Sequence, residues 1–255
     1  MPPTLILDLD NTIIGNITYQ LLADTLCNKV KKSCPIIANC YNEKTGIIRP
    51  YFTKFIYIMR EKFPDIKIYV YTASQKDWAL KEIKWIEKCC NMRFDRPILN
   101  RDDCIEMNNS YYKSIKKISK KIKSIDENNI LIIDNNDIFI DCKECFIKCP
   151  DYNYISFVDL WKILPKSMLD KQEVIIYTQK LIKEGYINPY NVDDLGNDLD
   201  KTLKYLKWFH KKISIINKLN KRNENDNFWL TLGKIAYSTN NFNDIKMIYI
   251  SNNKT

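Results

Sequence analysis

The sequence predicts an α/β fold in which a central parallel sheet is flanked by helices, with a small helical insertion after the first strand and an α-helical C-terminal region. Apolar runs of strand length alternate with segments of helical spacing, these runs end in polar residues, and helical spacing continues alone after about residue 166. We therefore divide the chain into a sheet-containing domain at residues 1–165, whose insertion spans about 16–48, and a helical region at 166–255.

The first predicted strand carries the clearest functional signal. Its apolar residues run to Leu7 and are followed by Asp8, Asp10 and Thr12. Side chains two positions apart share one face of a strand, so the two carboxylates project together where the strand ends. Two carboxylates at that distance repel each other unless a cation or a shared proton lies between them. The pattern therefore indicates a chemical site.

The elements that follow alternate between helix and strand. Helical spacing recurs in four segments, at residues 17–32, 51–63, 76–90 and 110–123. Apolar runs predict further strands at residues 67–74, near 97–99, at 130–133, and at 146–148 and 154–157. Ligands of parallel sheets bind beyond the carboxyl ends of the strands, which is where Asp8, Thr72 and Asp134 are all predicted to lie.

Helical spacing dominates the C-terminal region, at residues 171–184, 199–219 and 227–237. His210, the only histidine, lies in the second of these segments. Apolar residues recur around it at core spacing, so we interpret His210 as a helix-surface imidazole. A catalytic base, or a basic and aromatic contact to nucleic acid, is the alternative.

The composition narrows the class of protein. No apolar stretch approaches the roughly 18 to 20 residues of a spanning helix and the N-terminus lacks a signal region, so we expect a soluble, intracellular protein of the cytoplasm or nucleus that does not bind membranes. The net charge of +9 favours an anionic partner, such as a phosphoprotein or a nucleic acid. Nine cysteines, an odd number in such a chain, predict reduced thiols.

One cysteine cluster, Cys142-x2-Cys145-x3-Cys149, allows a zinc interpretation, because paired cysteines at this spacing are common in structural zinc sites. The cluster lacks a clear fourth ligand and a second pair, and the neighbouring Phe146 and Ile147 resemble strand core. We therefore interpret the three cysteines as small buried hydrophobes and keep zinc as the alternative.

Four motifs in order resemble the signatures of haloacid-dehalogenase-like (HAD) phosphatases. Asp8-x-Asp10-x-Thr12 is similar to the first signature and Thr72, at the end of an apolar run, to the second. Lys113 stands where the family places its third-signature lysine, and Asp134-Asn135 is similar to the fourth signature. The resemblance implies a Rossmannoid three-layer fold around the parallel sheet.

Within that superfamily the chain most resembles the RNA polymerase C-terminal-domain (CTD) phosphatases and NLI-interacting-factor-like domains, over about residues 4 to 160. Ser114 departs from the pattern, since the subfamily carries an aspartate after the lysine. The motifs that carry the resemblance are Arg49-Pro50, Thr72-Ala73-Ser74, Arg101-x2-Cys104, Tyr112-Lys113 and Asp134-Asn135.

The resemblance implies a Mg²⁺-dependent phosphomonoester hydrolase that works through an aspartyl-phosphate. Asp8 would be the nucleophile and Asp10 the general acid and base. Thr72, Ser74 and Lys113 would bind the substrate phosphate, Thr72 and Lys113 also acting in catalysis. The metal would be held at Asp8, Asp10, Asp134 and Asn135.

Three functions follow as hypotheses. A protein serine/threonine phosphatase of the CTD-phosphatase type is the first, because the chain carries the subfamily motifs and no large cap insertion. A phosphatase for nucleic-acid ends or nucleotides is the second, because the chain is basic. The third is a catalytically weak scaffold that acts as an interaction module.

Overall fold

The computed structural model describes residues 1–15, 46–154 and 220–253, together with isolated positions at 172, 175, 176, 179, 198, 200–204, 207 and 218. The chain divides into two compact units. The first, here called the sheet unit, consists of Met1–Ile14, Ile48–Tyr152 and Asn225–Thr255, and the second of Gly15–Ile47 and Asn153–Glu224. The predicted insertion helix at 17–32, His210 and the domain boundary at residue 165 lie outside the described residues, so the boundary stays a prediction.

The sheet unit alternates strands and helices, which confirms the predicted α/β class. Its elements in chain order are β1 (Thr4–Leu7), α1 (Phe52–Lys62), β2 (Lys67–Val70), α2 (Lys76–Cys90), β3 (Ile105–Met107), β4 (Ser110–Tyr112), α3 (Ile115–Lys121), β5 (Ile130–Asp134), β6 (Phe146–Lys148), α4 (Phe228–Ser238) and α5 (Asp244–Asn252).

A parallel four-stranded sheet forms the centre of this unit, with strand order β2-β1-β5-β6. Thr4 of β1 pairs with Lys67 on one side and with Ile130 on the other. Every residue of β1 and β5 is buried. Strands covered on both faces need continuous apolar runs, which is why these two segments lack the alternation of a half-exposed strand.

Most of the predicted elements in this unit are confirmed within a residue or two. The predicted helices at 51–63, 76–90 and 227–237 correspond to α1, α2 and α4, and the predicted strands at 130–133 and 146–148 to β5 and β6. Near residues 97–99 the structure forms one bridge, between Leu99 and Tyr71. Of the predicted strand at 154–157, Tyr154 has no strand assignment and the other positions lie outside the described residues.

The predicted helix at 110–123 is wrong in its first third. Residues 110–112 form β4, which pairs antiparallel with β3. The turn between them is Asn108-Asn109, both at positive φ (52° and 59°), a conformation that asparagine tolerates and that suits a tight hairpin. The helix then begins at Ile115, after Ser114, whose hydroxyl accepts a hydrogen bond from the Lys117 amide.

The last two helices pack inside the sheet unit. Trp229 of α4 is fully buried, and its ring centroid lies 5.4 Å from that of Phe52 and 4.8 Å from that of Phe55 in α1. Gly233 permits this approach, because a Cβ there would lie 3.2 Å from Ile58. Helix α5, which the sequence did not indicate, buries Ile245.

The second unit is described at fewer positions. Where its residues between 172 and 207 are described, apart from 198, they are helical, as the predicted helices at 171–184 and 199–219 require. At Gly46 a Cβ would come within 2.7 Å of the ring of Tyr154. In neither unit do the described residues include a helix that is both long and apolar enough to cross a membrane.

Candidate active site

Two carboxylates meet at the carboxyl ends of the adjacent strands β1 and β5. The Asp8 amide donates to the Ile133 carbonyl at 3.0 Å, which continues the ladder between the strands by one residue. Asp134 is the last residue of β5. Both side chains are buried, with 8% exposure for Asp8 and none for Asp134.

Lys113 lies between these carboxylates and is itself fully buried. Its Nζ donates to Asp8 Oδ1 at 2.6 Å and to Asp134 Oδ2 at 2.7 Å. The same ammonium lies 5.6 Å from the ring centroids of Tyr71 and Phe139. The Lys113 backbone bridges to Phe139, so both the main chain and the side chain of the lysine are fixed.

Burial and charge oppose each other in this cluster. Burial raises the pKa of Asp8, and Asp10 adds to the effect, while the Lys113 charge opposes it. Burial likewise raises the pKa of Asp134 to about 6 against the pull of Lys113. Burial disfavours the Lys113 ammonium, but the two carboxylates outweigh it and hold the pKa of Lys113 above its ordinary value. The lysine is therefore a permanent cation at neutral pH.

Asp10 lies in a second group, with two hydroxyls from the loop after β2. Its Oδ2 accepts from Ser74 Oγ at 2.7 Å and more weakly from Thr72 Oγ1 at 3.4 Å. Thr72 Oγ1 also accepts from the Ser74 amide at 3.1 Å, and the Thr72 amide donates to Leu99 O. The two predicted phosphate-binding hydroxyls thus face the predicted general acid.

Asn135 belongs to a third group. Thr12 Oγ1 donates to Asn135 Oδ1 and accepts from the Asn135 amide, both at 3.1 Å. Asn135 Nδ2 donates to Asp151 Oδ1 at 3.0 Å. Both ends of the side-chain amide are therefore oriented by named partners.

The predicted metal ligands differ in how far the protein already engages them. Asp134 accepts from Lys113 through Oδ2 and from the Asn136 amide through Oδ1 at 2.7 Å. Asp8 contacts Lys113 through Oδ1, and Asp10 contacts Ser74 through Oδ2. Because both oxygens of Asp134 accept hydrogen bonds, its clearest contribution is to hold Lys113.

Several residues that contribute to this site were given no role in the sequence prediction. Thr12 had a signal, its place in Asp8-x-Asp10-x-Thr12. Asp151 had none, because its partner Asn135 is recognised only in space. Asp141 is similar: its carboxylate accepts from Ser114 Oγ and the Ile115 amide, both at 2.7 Å, and so caps helix α3 just after Lys113.

The three clustered cysteines separate in space. Cys142 Sγ and Cys145 Sγ lie 3.2 Å apart, and with Glu144 they form a group of metal-ligating side chains whose ligand atoms lie within 4.8 Å of one another. Cys149 is buried elsewhere, with its Sγ 3.6 Å from Thr12 Oγ1. Cys149 thus behaves as the small buried residue we expected, while Cys142 and Cys145 are half-buried.

A buried lysine lies between two carboxylates, beside an acid with two hydroxyls, at the carboxyl ends of a parallel sheet, which is where α/β proteins typically bind ligands. Residues 3–169 match the sequence model of a family described as NLI interacting factor-like phosphatases. The chain belongs to this family and is a phosphatase, which confirms the predicted resemblance to NLI-interacting-factor-like phosphatases.

Two solved structures are similar to this chain. One is fission yeast RNA polymerase II CTD phosphatase Fcp1, a variant bound to beryllium fluoride, with 19% identity and a TM-score of 0.37 over 92% of this chain and 70% of that chain. The other is Fcp1, described as an essential RNA polymerase II CTD phosphatase, with 20% identity and a TM-score of 0.39 over the same shares. A search of curated proteins found no significant match.

Proposed function

We propose that this phosphatase hydrolyses phosphomonoesters through an aspartyl-phosphate on Asp8, with Mg²⁺ as cofactor and a serine- or threonine-phosphorylated protein as substrate. The observation that carries the proposal is the buried cluster in which Lys113 joins Asp8 to Asp134. Buried ion pairs cost desolvation energy. A fully buried lysine with two acids at the carboxyl ends of the central strands β1 and β5 is therefore better explained by a catalytic role than by a contribution to stability.

The first step transfers the phosphoryl group to the protein. Because Lys113 engages Asp8 Oδ1, we assign the attack on phosphorus to Oδ2. The bond between phosphorus and the ester oxygen breaks, and protonated Asp10 gives its proton to the leaving oxygen. Lys113 offsets the negative charge of the transferred group, and the hydroxyls of Thr72 and Ser74 turn from Asp10 to the phosphate oxygens.

The second step releases phosphate. Asp10, now ionised, takes a proton from a water molecule whose oxygen attacks the phosphorus. The bond to Asp8 breaks, inorganic phosphate leaves, and the two carboxyl groups return to their starting states. One acid therefore acts in both steps, and hydrogen bonds from Thr72 and Ser74 to its Oδ2 hold it in place.

The residues present fit a hard divalent cation. With Asp10 protonated, as the first step requires, ionised Asp8 and Asp134 with protonated Lys113 carry a formal charge of −1, and the phosphate ester adds further negative charge that such a cation would offset. The metal donors would be oxygens of Asp8, Asp10 and Asn135, and Asp134 would hold Lys113 beside them. When bound, Mg²⁺ supplies Lewis-acid stabilisation of charge on the phosphoryl oxygens.

The deciding experiment is phosphate release from para-nitrophenyl phosphate, with Mg²⁺ or with chelator, by the native protein and by Asp8→Asn. We expect activity that needs the metal and falls at least about a thousandfold in the variant. Asp137→Asn is the matched control, because it makes the same change at an exposed position and should keep full activity. Metal-independent turnover, or turnover retained by Asp8→Asn, would contradict the mechanism.

The substrate class needs a separate comparison. Phosphoserine and phosphothreonine peptides should be hydrolysed with a higher kcat/KM than terminally phosphorylated oligonucleotides. The reverse order would favour the second hypothesis, a nucleic-acid end phosphatase, to which the net charge of +9 also points.

The aspartyl-phosphate is tested by trapping. A peptide with a radiolabelled phosphate, mixed with the protein and quenched in acid, should leave hydroxylamine-labile label on the native protein and none on Asp8→Asn.

A further inference from the structure

We propose that Asp226, which lies outside the matched family region, is a positioning residue that sets the orientation of Asn135 through Arg49 and the loop at residues 150–152. This inference rests on the proposed function, because it concerns the amide that we assign to the metal. It gives the C-terminal segment of the sheet unit a part in catalysis that the family match, which ends at residue 169, does not include.

The first link is the ion pair between Arg49 and Asp226. Arg49 Nε and Nη2 donate to the two carboxylate oxygens of Asp226, each at 2.8 Å. The Arg49 side chain has no exposed surface, and its guanidinium lies 4.7 Å from the ring centroid of Phe228 and 5.5 Å from that of Tyr152. A two-point bond in such a pocket allows the guanidinium a single orientation.

The second link runs from Arg49 to the loop after β6. Arg49 Nη1 donates to the Pro150 carbonyl at 2.9 Å, and the Arg49 amide donates to the Ile13 carbonyl at 2.8 Å. Arg49 thus joins the turn that follows Asp10 to the loop at residues 150–152. The Tyr152 amide adds a direct bond between them, donating to the Asn11 carbonyl at 2.8 Å.

The third link reaches the candidate ligand. Asp151, next to Pro150, accepts a hydrogen bond from Asn135 Nδ2 at 3.0 Å. Asp151 thus fixes the nitrogen end of an amide whose oxygen accepts from Thr12 Oγ1 at 3.1 Å. Partners of this kind typically change metal affinity or activity about tenfold to a hundredfold when removed. Loss of the Asp226 charge should therefore lower the metal affinity, because it displaces Arg49 and the loop at residues 150–152.

The test measures Mn²⁺ binding by electron paramagnetic resonance, which needs no turnover, on the native protein and on Asp226→Asn. The variant keeps the side-chain size but places an amide where Arg49 needs a second acceptor. We expect Mn²⁺ affinity to fall about tenfold. Asp244→Asn, with the same charge change in the same segment, is the control and should bind Mn²⁺ as the native protein does.

A merely structural role is separated from positioning by a double-mutant cycle with Asp151→Ala. Asp151 is exposed, so its removal should leave the fold intact while it weakens Mn²⁺ binding. If Asp226 acts through Asp151, the double variant will bind Mn²⁺ no worse than the weaker single variant. Additive losses, or native affinity in Asp226→Asn, would overturn the inference.

Asp226→Glu covers the case in which Asp226→Asn does not fold. It keeps the charge and displaces the carboxylate by one methylene, so Mn²⁺ affinity should fall about threefold, less than in the asparagine variant. Native affinity in Asp226→Glu would count against the inference. A native protein that binds no Mn²⁺ and releases no phosphate would instead refute the proposed function.

Discussion

Two buried cations in the sheet unit, Lys113 and Arg49, are placed for different work. Lys113 is shared between Asp8 and Asp134, both nearly inaccessible, whereas Arg49 gives two donors to one carboxylate that is 17% exposed and a third to a carbonyl. An ammonium is a compact charge that can be shared among several anions, while a guanidinium is a rigid fork. The Lys113 ammonium can therefore stabilise negative charge at more than one position, whereas the Arg49 guanidinium fixes the relative positions of Asp226 and Pro150.

Exchanging the cation at the first site should have the largest effect. Lys113→Arg puts a planar group between Asp8 and Asp134 and between the rings of Tyr71 and Phe139, where there is room for an ammonium. We expect kcat/KM for para-nitrophenyl phosphate to fall about a thousandfold.

Lys121→Arg is the control for this exchange, since Lys121 forms a half-exposed pair with Asp103. Its activity should match that of the native protein. If Lys113→Arg kept more than a tenth of native activity, the distinction between a shared charge and a rigid fork would not hold at this site.

The reverse exchange should act on stability. Arg49→Lys loses the two-point bond to Asp226 and leaves the Pro150 carbonyl short of a donor, so the free energy of unfolding in urea should fall by about 3 kcal/mol. Arg96→Lys makes the same change at the half-exposed two-point pair with Glu87 and should cost less than about 1 kcal/mol. Equal losses at the two positions would show that burial of the fork does not matter.

The acids around Lys113 should make the stability of the protein depend on pH. The pKa of Asp134 is raised from 3.8 to about 6, so the folded protein holds its proton more tightly than the unfolded chain does. Stability from this group is therefore present below about pH 4 and is lost as the pH rises to about 6.

Urea unfolding in chelator, at pH values from 4 to 7, measures this loss as the difference between the native protein and Asp134→Asn. The difference in the free energy of unfolding should shift against the native protein by less than about 3 kcal/mol across this window. Asp137→Asn, at an exposed position, should follow the native curve. Parallel curves for Asp134→Asn and the native protein would mean that Asp134 titrates normally.

The sequence predicts the Lys113 site better than the Arg49 site for a physical reason. Asp8, Thr72 and Asp134 each end an apolar run, and parallel pairing brings strand ends together, so local patterns suffice to place them. Arg49 and Asp226 are separated by 177 positions, and no periodicity relates them. The Arg49-Pro50 motif drew attention to the arginine in the sequence, but only the folded structure identifies Asp226 as its partner.

The hairpin at residues 105–112 went unpredicted for a different reason. Tyr111 and Tyr112 lie four and three residues before Ile115 and so continue the apolar spacing of α3, which extends the predicted helix toward the N-terminus. The structure here is determined by Asn108 and Asn109, which adopt positive φ and form the turn, and by Asp141, which caps the start of α3 from a position distant in sequence. Turn chemistry and a distant cap outweigh helical spacing there.

The burial of Trp229 between Phe52 and Phe55 also affects how the protein is made. A ribosome synthesises β1, α1 and the whole family-matched region before it reaches α4, so the nascent chain carries an apolar α1 surface that Trp229 has yet to cover. We expect chaperones to bind this exposed apolar surface during that interval. Phosphatase activity should therefore appear only after residues 225–253 have been synthesised and have packed against α1.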